Sequence, residues 1–100
     1  QQEKERKRRE AEVRRKRSKQ LRPLERRVEK LEGQIGELEV TQKELGEQLA
    51  DPTVYADASR SAELLGRYQE CKEQMGALTD SWEKATVELE AVEAELALEE

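Results

Sequence analysis

One hundred residues with 43% charged side chains, 34% hydrophobic ones, no Phe, no His and two Pro are too poor in bulky apolar groups to fill a globular core and rich in the residues of long helices. The net charge is -5; with no His and one cysteine, Cys71, neither the usual zinc site nor an internal disulfide is open to the chain. No apolar run exceeds Leu96-Ala97-Leu98, so the expectation is a cytoplasmic chain with no signal peptide, no membrane span and no membrane partner.

The chain opens on a basic arm. Lys4 to Arg22 holds 11 basic and 3 acidic residues, with no Gly or Pro before Pro23, and this stretch can be helical. Over residues 1–30 the balance is 14 Lys/Arg against 6 Glu, whereas residues 31–100 hold 5 against 18. Two parts so differently charged are expected to meet different partners, or each other. Residues 1–20 read as an arm or linker from a preceding domain, and 21–100 as the folded unit.

From Leu21 the apolar spacing alternates three and four: Leu21, Leu24, Val28, Leu31, Ile35, Leu38, Leu45 and Leu49, with Gln42 as the polar interruption. This is the a/d seam of a coiled coil. LADPTVYADAS, Leu49 to Ser59, breaks it. Asp51 is a suitable N-cap and Pro52 suits the first position of a short helical turn. Asp57 or Ser59 can cap the next helix, and Tyr55 is expected to cover the apolar end of the seam. The pattern then resumes at Leu64, Tyr68, Cys71, Met75, Leu78, Trp82, Ala85, Leu89, Val92 and Leu96.

Neither stripe can bury itself alone. If facing positions add to about 113, every seam residue finds an antiparallel partner, with Leu49 against Leu64, Gln42 against Cys71 and Leu31 against Trp82. The predicted fold is therefore all-α: a monomeric two-helix antiparallel coiled-coil hairpin with a short capped loop at 50–60 and a basic N-terminal helical extension. Its helices should run from about residue 20 or earlier to Leu49 and from about Ser61 to Leu96. Trp82 should make the largest single buried contribution. Trp82, Tyr68, Cys71 and Met75 all read as core. Gly33, Gly36, Gly46, Gly66 and Gly76 fall off the seam, on exposed faces.

Chemistry is sparse. The chain lacks His, the phosphate loop GxxxxGK[ST] and any patterned buried carboxylate pair, so no catalytic residue, metal or cofactor is expected. The arm can bind phosphates by releasing condensed counterions. It contains no aromatic for base stacking, and the turn at Asp51 rules out a dimeric basic zipper, which leaves shape or backbone recognition of duplex DNA or structured RNA. The candidate nucleic-acid-binding residues are Arg14, Arg15, Lys16, Arg17, Lys19, Arg22, Arg26 and Arg27. The competing account is neutralisation of the arm by the acidic end of the chain. The hairpin register sets Arg14 to Gln20 beside Glu93 to Glu99, and residues 88–100 hold six Glu and no basic residue.

KRREAEVRRK, LRPLERRVEKLEGQIGELE, LADPTVY and SWEKATVELE together resemble the C-terminal coiled-coil domain of bacterial ABC-F ATPases of the Uup and YheS type, over about Lys7 to Leu96. The hinge LADPTVY and the pair Trp82-Glu83 are its most specific parts. The resemblance implies a non-catalytic hairpin attached to parent ATP-binding domains and contacting rRNA, the ribosome or DNA. The long basic lead-in and the loop ADASRSAELL are closer to the YheS type. Two other readings stand beside this one: a protein-interaction or spacer coiled coil, and an RNA-contacting arm of a translation enzyme such as the hairpin of seryl-tRNA synthetases.

Overall fold

The computed structural model describes residues 1–99, and these form three helices. Helix α1 spans Gln2–Leu49, α2 is the single turn Pro52–Tyr55, and α3 spans Ala58–Glu99. The long helices run antiparallel on either side of the hinge, as the matching seams require. Every seam position from Leu21 to Leu96 is buried or half-buried, Gln42 included. The basic arm is helical throughout. Pro23 lies inside α1, where it cannot donate to the Lys19 carbonyl and costs the helix about 3 kcal/mol relative to alanine. Leu21 and Leu24 on either side of it are turned into the seam, and that burial offsets the loss.

The chain divides into two compact units, one comprising residues 1–29 and 83–100, the other residues 30–82. In the second, Leu45, Val54, Leu64 and Cys71 form a buried cluster, and Leu38, Leu49, Tyr68 and Met75 pack around it. The Cys71 thiol donates to the Leu38 carbonyl at 3.3 Å. Trp82 donates its indole N–H to Glu32 Oε1 at 3.1 Å. The ring is half-buried at its seam position. The indole spans the seam edge with its polar tip held at the surface. In the first unit Leu21, Ala85 and Leu96 are buried, flanked by the half-buried Leu24, Val28, Leu89 and Val92.

The hinge is held by two caps. Asp51 Oδ1 accepts from the Thr53 amide at 2.9 Å and from the Thr53 hydroxyl at 2.8 Å, with Pro52 at the first helical position. Asp57, not Ser59, caps α3: its Oδ1 accepts from the Arg60 amide at 3.1 Å. This starts α3 three residues before Ser61. Tyr55 corrects the expectation made for it. Val54 is the hinge residue that closes the seam, at 7% exposure, while Tyr55 is 78% exposed. Adjacent residues on a helical turn point about 100° apart, so only one of the two can face inward.

The backbone hydrogen bond from Thr53, then its hydroxyl and the nearby Arg60 charge, hold the Asp51 carboxyl below its ordinary value. A carboxyl whose folded pKa is depressed adds stability above its unfolded pKa and loses it as pH falls through the folded one. Acidification below about pH 4 should therefore loosen the hinge. Thermal melts of Asp51→Asn, which keeps an accepting oxygen without the charge, should lose less stability than wild type across this window.

Candidate nucleic-acid interface

Seven of the eight candidate residues are exposed on α1: Arg14, Arg15, Lys16, Lys19, Arg22, Arg26 and Arg27. Arg17 is the exception. It falls at a seam position and is half-buried. Arg15, Lys19, Arg22 and Arg26 follow at intervals of four, three and four, so they share one line along the helix, about 16 Å long at 1.5 Å per residue. Arg8 prolongs the same line by two turns. Lys16 and Arg9 lie beside it, seven residues apart.

Two arginines of the arm are already engaged within their own helix. The Arg15 Nε donates to the Ala11 carbonyl at 3.4 Å, and Arg6 Nε lies 3.9 Å from Glu10 Oε1. Lys16 reaches across to α3, its Nζ 3.0 Å from Glu99 Oε2. This contact places the later part of the basic arm, at Lys16, beside the end of α3, as the antiparallel register requires.

Around this pair lie two grooves. One is lined by Arg9, Glu12, Val13, Lys16, Arg17, Leu96 and Glu99. The other is formed mainly by the first turns of α1, with Arg6, Arg9 and Arg14 on one wall together with Glu5, Glu10 and Glu99. Arg6 and Arg9 were not among the residues expected here. The signal was present in the sequence: Arg9 and Lys16 occupy the same heptad position, so the outward basic face extends one heptad toward the N-terminus from Lys16.

The charge of this unit is nearly balanced. Residues 1–29 and 83–100 hold 14 basic and 13 acidic side chains, 13 of the basic ones on α1. The positive charge of this unit thus lies almost wholly on one helix, α1. Among the described residues no cluster of His, Cys, Asp or Glu could hold a metal ion, and no helix is long and apolar enough to cross a membrane.

Residues 19–86 match the family model described as the ABC transporter C-terminal domain. The chain belongs to this family. The match includes the hinge, Trp82 and four of the candidate residues: Lys19, Arg22, Arg26 and Arg27. Arg14 to Arg17 lie ahead of it. No curated protein and no solved structure matches the chain. As an ABC transporter C-terminal domain, the chain is a non-catalytic part of an ABC protein.

Proposed function

We propose that this ABC transporter C-terminal domain is of the ABC-F type and contacts the phosphate backbone of nucleic acid, either rRNA on the ribosome or DNA, through Arg14, Arg15, Lys16, Arg17, Lys19, Arg22, Arg26 and Arg27. The observation that carries this reading is the straight, exposed line of Arg15, Lys19, Arg22 and Arg26 on one helix. A rod of cations follows a backbone, and with no aromatic before Tyr55 it has nothing to stack on unpaired bases. The domain works as a monomer in the cytoplasm, without a cofactor. Its partners besides nucleic acid are the ATP-binding domains of its parent protein, to which any ATPase activity belongs.

Replacing Arg15, Lys16, Lys19 and Arg26 together with Gln tests the assignment. The variant should bind a duplex or a structured RNA with a salt dependence shallower by about four phosphate contacts, while its circular dichroism stays that of the native chain. Equal salt dependence in the two proteins would remove the phosphate role from these residues.

A second reading is a spacer or protein-interaction coiled coil, favoured by one observation. The Lys16–Glu99 pair and the near balance of charge in its unit are what an arm neutralised by its own acidic neighbour would have. On that reading the native chain binds neither nucleic acid at any salt concentration.

A further inference from the structure

We infer that the groove between Arg9, Lys16 and Arg17 on α1 and Leu96 and Glu99 on α3 is a phosphate subsite that Glu99 occupies until nucleic acid displaces it; this rests on the phosphate role proposed above. Glu99 is the α3 carboxylate that lines both grooves of the basic arm, so its charge sits among Arg6, Arg9, Arg14, Lys16 and Arg17. It is held by Lys16 Nζ at 3.0 Å, the contact a phosphate oxygen would make with the same ammonium group.

Two properties suit Glu99 to be displaced. The pair is solvent-accessible, at 56% and 54% side-chain exposure, so it is worth little to the fold and opens readily. The groove offers the Arg9 guanidinium, whose planar fork suits the non-bridging oxygens of a phosphate. Against it stands Glu12, which also lines the groove, stays in place when Glu99 leaves and repels an incoming anion. The subsite adds Arg9 to the interface, one heptad ahead of Lys16. The acidic end of α3 thereby becomes an internal competitor that sets how strongly the basic face binds.

The test is a titration of the full chain with a labelled duplex of about 20 base pairs, and with a structured RNA, at 50 and 500 mM salt. Glu99→Gln should tighten binding about fivefold at the lower salt, the upper end for one exposed charge pair, and by less than about twofold at the higher, where screening acts within a few ångströms. Glu93→Gln removes the same charge from an exposed site outside both grooves and should change affinity by less than about twofold. On a Lys16→Gln background the Glu99→Gln gain should disappear, because the two residues are coupled. Equal gains from Glu93→Gln and Glu99→Gln would reduce the effect to net charge and overturn the subsite. No gain from Glu99→Gln, with steep salt-dependent binding by the native chain, would overturn it while leaving the phosphate role of α1 intact. Absence of binding in all these proteins would overturn both.

Discussion

Replacing Leu45 with alanine should destabilise the unit that holds the hinge by about 2 to 5 kcal/mol, the range for emptying a buried leucine site. Leu45 is 3% exposed, the centre of a cluster in which Val54 comes from the hinge and Leu64 and Cys71 from α3. The cavity would therefore loosen all three elements. Long helices linked through one narrow seam have little room to collapse around a missing side chain, which places the cost toward the upper part of that range. A loss of this size is a large share of what a domain of this length possesses. Urea denaturation should show a lower midpoint with an unchanged slope, and Leu64→Ala should couple to Leu45→Ala because the two share the cavity. A change under about 0.5 kcal/mol, the ordinary range for surface sites, would mean that the cluster is not the core of this unit.

The glycines supply the opposite effect. A methyl group added at Gly33, Gly36, Gly66 or Gly76 would meet no heavy atom within 4 Å, and all four positions lie inside α1 or α3. Alanine at each should gain the helix propensity that glycine forfeits, about 0.8 to 1 kcal/mol per site. The four together should add about 3 to 4 kcal/mol if they act independently, a rise in melting temperature on the order of 15 °C for a domain of this size. Gly46 differs in having a neighbour: its added methyl would lie 3.9 Å from the Tyr68 ring, an ordinary contact, so Gly46→Ala should also stabilise. A lower melting temperature in the fourfold variant would contradict the open space at these positions. A higher one combined with lost binding would show that a partner approaches the backbone there.

The seams were legible in the sequence because a 3.5-residue period leaves a mark at every turn. Nineteen or so positions carry the same information about register, so one polar residue such as Gln42 does not obscure it. The hinge caps were legible for a different reason: Asp before Pro, and Asp three residues before the Arg60 amide, are local hydrogen-bonding patterns that need no tertiary context. Tyr55 was not legible. A single turn has no periodicity from which to choose between Val54 and Tyr55, and the smaller residue fits the narrow end of the seam. Trp82 sits where the spacing put it, but its hydrogen bond to Glu32 is something no spacing rule encodes. For the basic face, the sequence placed the cations on α1 but stopped at Arg14, since the seam lacks apolar residues farther back. Arg9 was legible as the heptad equivalent of Lys16, but its place beside Glu99 comes only from the packing of α3.

The central claim, that α1 of this ABC transporter C-terminal domain binds phosphates with its basic face, is tested most directly by the affinity of the native chain for duplex DNA and structured RNA between 50 and 200 mM salt. Six or so neutralised phosphates predict a straight line in log affinity against log salt and a fall of about a thousandfold across that range. A flat line, or no measurable binding at 50 mM, would contradict it.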